Sequence, residues 1–175
     1  MNKLDTTWTL EAAPADRSAV LDVLAVAGAV MLGAWVRIPL PFSPVPITLQ
    51  TLPVLLAGYA VGRTRATAGM ALYLLLGFAP YALLGIEKSP LLATPFGPTL
   101  GYLVAFVFAP TVIARFRQPE VGLLAATLLI YALGAGWLAV YAQCGLAAAV
   151  AIGVLPFLAG DLLKVLAARR LLTWI

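Results

Sequence analysis

Histidine is absent from this 175-residue chain, and cysteine occurs once, at Cys144. The first absence removes Ser-His and Cys-His nucleophile pairs and every histidine-ligated metal site. The second removes an internal disulfide. Charge is scarce too. Asp, Glu, Lys and Arg make up 10% of the residues, where a soluble domain carries about 25%. No G-x-x-x-x-G-K-[ST] loop is present, and the nearest basic glycine stretch, GRTRATAG at 62–69, does not fit it. The chain therefore lacks that route to ATP hydrolysis. It also lacks a G-x-S-x-G nucleophile motif and a metal-ligand cluster, which argues against an intramembrane enzyme.

What fills the chain instead is apolar. Hydrophobic residues reach 63% and the mean hydropathy is +1.02, the composition of an all-α integral membrane protein sitting in a lipid bilayer. The net charge of +4 then reads as cytoplasmic loop charge and not as a nucleic-acid surface. Residues 1–18 mix Lys3, Asp5, Glu11, Asp16 and Arg17. No positive stretch leads straight into a short apolar core, so a cleaved signal is not expected. We expect a cytoplasmic tail over 1–18 and a single membrane domain over 19–175.

Six helices are expected, over about 20–36, 50–62, 66–86, 97–114, 121–141 and 157–172. Residues 121–160 carry no charge, too long for one span of about 20 residues. They divide into the fifth helix and a connection over 143–156, within which 146–152 can form a short helix. Eight basic residues (Lys3, Arg17, Arg63, Arg65, Arg115, Arg117, Arg169, Arg170) fall on one side of these spans, and two, Arg37 and Lys88, on the other. That bias places both termini in the cytoplasm of a multi-pass protein of the cell's inner (plasma) membrane.

Four prolines crowd residues 39–46, within RIPLPFSPVPITLQT. Proline fixes φ and donates no N–H, so this stretch cannot be helix. It is expected to be a stiff, extended cap that delivers Thr48, Gln50 and Thr51 to the mouth of the second helix. Non-helical backbone at a membrane boundary belongs where it lines a cavity or a protein interior. The last helix holds Asp161 and Lys164 three residues apart, on one face. Two readings are open, an ion pair that fixes helix packing or a ligand site near the outer end. Asp22 reads as a solvated carboxylate at the start of the first helix. Ala25, Ala29 and Gly33 form a small-residue stripe, either for internal packing or for docking a separate membrane subunit. GPTLGY at 97–102 offers Tyr102 as helix-start chemistry or as a ligand contact.

Three signatures coincide here: IPLPFSPVPITLQT, GPTLGYL and PFLAGDLLK. With six spans and cytoplasmic termini they resemble the BioY family, the biotin-specific substrate-binding (S) component of energy-coupling factor transporters. The resemblance covers almost all of the chain from residue 20 on. It implies an S-component bundle that binds biotin with high affinity, has no cofactor or metal, and is not an enzyme. It implies two kinds of partner, a transmembrane coupling protein and two cytoplasmic ATPase subunits. It assigns Asp161, Lys164, Gln50, Thr48 and Tyr102 to the biotin site, and Ala25, Ala29 and Gly33 to coupling-protein docking. One region departs. Where the family carries a glycine-rich loop close to GLPVFAGG, this chain reads GFAPYALLGIEKSPLLATPFGPT, so pocket residues cannot be carried over and Glu87 and Lys88 stand as lid candidates. An S component for another water-soluble vitamin is the alternative. A stand-alone ion-coupled carrier would need several intramembrane carboxylates, and only Asp161 is clearly placed.

Overall fold

A computed structural model describes residues 17–84 and 97–173. The tail through Asp16 and the lid candidates Glu87 and Lys88 lie outside them. The described chain runs α1 (Arg17–Trp35), β1 (Arg37–Leu40), β2 (Ser43–Thr48), α2 (Thr51–Ala60), α3 (Arg63–Leu84), α4 (Leu100–Ile113), α5 (Pro119–Tyr141), α6 (Leu146–Gly153), a 3-10 turn (Leu155–Phe157) and α7 (Leu158–Leu172). The expected helices are all present, with ends shifted by up to three residues, and α6 occupies the connection as expected. Arg17–Trp35, Pro119–Tyr141 and the nearly continuous Leu146–Leu172 are long and apolar enough to cross a membrane.

Apolar side chains sort onto two surfaces. Val30, Leu55, Met70, Leu123 and Leu138 are fully buried between helices, while Leu21, Leu24, Leu32, Leu162, Leu163 and Leu166 are exposed. Outward leucines on this scale would be a liability in water, and in a bilayer they are the lipid face. Glycines allow the helices to approach. A Cβ at Gly69 of α3 would fall 2.6 Å from Val26 Cβ of α1, and at Gly58 of α2 it would fall 3.3 Å from Ile113 of α4. Small residues serve this purpose in membrane bundles, where apolar burial no longer drives association.

The proline-rich stretch is extended, as expected, but it is also paired. β1 and β2 form an antiparallel hairpin with Arg37 opposite Thr48, Ile38 opposite Ile47 and Leu40 opposite Ser43. Prolines are tolerated because a two-stranded ribbon consists only of edges. Pro39 sits in the register irregularity between Ile38 and Leu40, and Pro41 begins the two-residue turn, where its fixed φ suits position i+1. The all-α expectation therefore gains one hairpin.

α2 has only 10 residues, about 15 Å of helix against a hydrocarbon core about 30 Å thick. The hairpin precedes it, and the Leu49 N–H donates to Gly33 O (3.2 Å) and Val36 O (3.1 Å). This bond folds the chain back onto the end of α1 and satisfies carbonyls that a helix terminus leaves open.

That fold-back corrects the reading of the α1 stripe. Ala25 and Ala29 are exposed, whereas Gly33 is buried, and a Cβ there would sit 2.9 Å from Gln50 Cα. Gly33 packs internally and is not part of a free docking face. Asp22 is also corrected. It lies in the second turn of α1 and forms an ion pair with Arg65 of α3.

Gly33→Leu is expected to destabilise the protein by roughly 1–3 kcal/mol through overpacking against backbone. Ala29→Leu should leave stability unchanged. Thermal unfolding of the detergent-purified variants measures this, and equal melting temperatures would contradict the packing described.

Candidate ligand-binding site

A cavity of about 750 Å³, open mouth included, is enclosed by the hairpin and helices α2, α3, α4, α5 and α7. One wall is apolar, formed by Val45, Pro46, Leu103, Phe106, Ile130 and Phe157. The other is polar, and its side chains are fixed by one another.

Asp161 anchors the polar wall. It is 6% exposed. Its Oδ1 accepts from Lys164 Nζ (2.7 Å) and Thr51 Oγ1 (3.0 Å), and its Oδ2 accepts from the Tyr131 hydroxyl (2.7 Å). Three helices, α2, α5 and α7, thus meet on one carboxylate. Lys164 Nζ donates in addition to Thr48 O at 2.6 Å and Thr51 Oγ1 at 3.0 Å. An ammonium has three protons, and these three acceptors use them all. Burying two charges is strongly unfavourable unless they are paired and their remaining hydrogen-bonding positions are filled. Here both conditions are met.

Gln50 is held just as firmly. Its Oε1 accepts from Thr48 Oγ1 (3.1 Å), and its Nε2 donates to the Tyr73 hydroxyl (2.7 Å). Thr48 orients the amide, leaving one Nε2 proton uncommitted. Tyr102 joins the wall from α4. Its ring lines the cavity and packs against Gly134 of α5. Its hydroxyl donates to Gly153 O at the end of α6 (2.6 Å). Tyr102 is thus a wall whose proton is committed to holding α6, and it is not a free donor.

All five residues named from the sequence for ligand binding, Asp161, Lys164, Gln50, Thr48 and Tyr102, line this one cavity. Ala25, Ala29 and Gly33 do not line it. Tyr73, Tyr131 and Arg37 line the cavity as well and were not among those five. Tyr73 and Tyr131 lie in uncharged helical stretches where a tyrosine reads as core, so no local motif marks them. What remains available to a ligand is a compact set. Asp161 Oδ2 can accept a further bond, Gln50 can donate one, and the facing wall is apolar.

Lys164→Met removes one member of the buried pair and leaves Asp161 uncompensated, a loss of about 3–5 kcal/mol. The double variant Asp161→Asn/Lys164→Met should recover part of that loss. Melting temperatures in detergent test the ordering, and a double variant less stable than Lys164→Met alone would show that the charges are not coupled as described.

Comparison with known proteins identifies the family. The BioY family profile matches residues 7–175. The biotin transporter BioY of Thermotoga maritima is 33% identical over 146 residues, covering 79% of this chain and 84% of that protein. The biotin transporter BioY of Rhodobacter capsulatus is 37% identical over 171 residues, covering 86% and 88%. Among solved structures, the S-component for biotin from an ECF-type ABC transporter superposes with a TM-score of 0.69 at 26% identity, covering 88% of this chain and 90% of that one. With the match running through both the hairpin and the Asp161–Lys164 helix, the chain belongs to the BioY family.

Proposed function

We propose that this chain is the membrane subunit that captures biotin at the outer face for energised uptake. A transmembrane coupling protein and two cytoplasmic ATPase subunits supply the energy, since the chain has no phosphate-binding loop of its own. It performs no chemistry on the ligand. Both termini lie in the cytoplasm of the inner membrane, because eight of the ten basic residues in its loops and tails fall on that side.

The observation that carries this reading is the pairing of a buried, pre-oriented acceptor and donor, Asp161 and Gln50, with a facing apolar wall. Biotin has a ureido ring with two N–H donors and one carbonyl, an apolar thiophane ring and tail, and one carboxylate. Asp161 Oδ2 accepts a ureido N–H and Gln50 Nε2 donates to the ureido carbonyl. Val45, Leu103, Phe106 and Phe157 take the thiophane ring and the tail. A site built around polar partners rejects analogues that leave those partners unpaired far more strongly than an apolar pocket rejects a missing methylene. The names of the relatives support biotin over other vitamins. Docking of the coupling protein is assigned to the exposed face of α1 at Ala25 and Ala29, where small side chains permit close helix approach.

Equilibrium binding of a panel of water-soluble vitamins to the purified protein tests the ligand. Biotin alone is expected to bind tightly, and a tighter complex with another vitamin would replace it. For the partner, Ala29→Leu should retain biotin binding and lose energised uptake in cells. Loss of binding together with uptake would return the α1 face to internal packing.

A further inference from the structure

Three charged side chains line the cavity, Asp161, Lys164 and Arg37. The first two neutralise each other at 2.7 Å, and all three Lys164 protons are committed to Thr48, Thr51 and Asp161. Arg37 differs. Among the described residues its guanidinium has no ion-pair or side-chain hydrogen-bond partner, and the residue is exposed. The described lining therefore carries one uncompensated positive charge.

Hairpin register explains why this charge faces the cavity. Arg37 is directly opposite Thr48, and residues paired across an antiparallel ribbon project on the same face. Thr48 uses that face to reach Gln50. Arg37 follows α1, so it sits at the end of the cavity where the hairpin begins, while Asp161 and Lys164 are supplied from α7. The site thus has a neutral polar wall, whose ammonium has no proton left to donate, and a separate cation at its hairpin side. A planar guanidinium with several free N–H groups fits a carboxylate bidentately, which an ammonium with no remaining proton cannot do.

We propose that Arg37, and not Lys164, is the residue that reads the negative charge of the ligand, so that this site selects a monoanionic carboxylate on an otherwise neutral molecule. The assignment rests on the biotin reading above. It also separates the ligand's charge from the membrane-embedded ammonium, which is already paired with Asp161.

The test is the ratio of affinities for biotin and biotinamide, which differ only in that charge, measured on purified native protein and variants. Native protein should prefer biotin by about 10- to 100-fold, the range of a charge-assisted contact. Arg37→Gln should erase most of that preference by weakening biotin far more than biotinamide, since among the described residues Arg37 holds no other side chain in place. Arg37→Lys should keep part of the preference. The Asp161→Asn/Lys164→Met double variant should keep the ratio even where both affinities fall. Tight biotin binding with the ratio unchanged in Arg37→Gln would overturn the assignment alone. A native protein that binds neither compound would overturn the biotin reading and the assignment with it.

Discussion

The hydrogen bond from Lys164 to the Thr48 carbonyl is the contact on which the hairpin end of this protein depends. A helix satisfies its own backbone, and a non-helical segment at membrane depth cannot unless other groups complete it. Here α2 is too short to cross alone and a hairpin stands in series with it. The hairpin ladder fills some of its backbone groups, and Leu49 finds two carbonyls at the end of α1. The Thr48 carbonyl, at the junction, falls to Lys164. A buried ammonium in turn requires a carboxylate, which Asp161 provides, and that carboxylate requires Tyr131 and Thr51. One irregular segment thus accounts for a chain of polar residues drawn from three helices.

The same requirement produces a site. Side chains brought together to satisfy the hairpin junction are locked before any ligand arrives, and polar groups whose geometry is set in advance lose little freedom on binding. Gln50 is held by Thr48 and Tyr73, and Asp161 by three donors. The Asp161–Lys164 pair is then structural and cavity-facing at once. The packing reading and the ligand reading left open by the sequence both turn on this one carboxylate. Tyr102 extends the scheme, tying α4 to the end of α6 and so fixing the turn that leads into α7.

Much of this was legible in the sequence, for physical reasons that differ by residue. Asp161 and Lys164 stood out because ionisable groups are rare in apolar helices, and Thr48 and Gln50 because a proline run cannot be helix and must end in something that can. The hairpin itself was not legible, since prolines argue against a ladder and a two-stranded ribbon is the exception. Tyr73 and Tyr131 lie far from the motifs in sequence and join them only through α3 and α5 packing. Gly33 was misread because four-residue spacing identifies a face of α1 and says nothing of the Leu49–Gln50 fold-back that covers one end of it. Arg37 was legible as a basic residue beside the proline run, but its direction depends on strand register.

The central claim is that Asp161 and Lys164 form a completed internal pair that offers the ligand a neutral wall. A structure of the protein with biotin bound measures this most directly. The account expects Lys164 Nζ to remain on Thr48 O and Asp161, with the ureido ring at Asp161 and Gln50 and the carboxylate away from Lys164. A biotin carboxylate seated on Lys164, with the Thr48 bond broken, would contradict it.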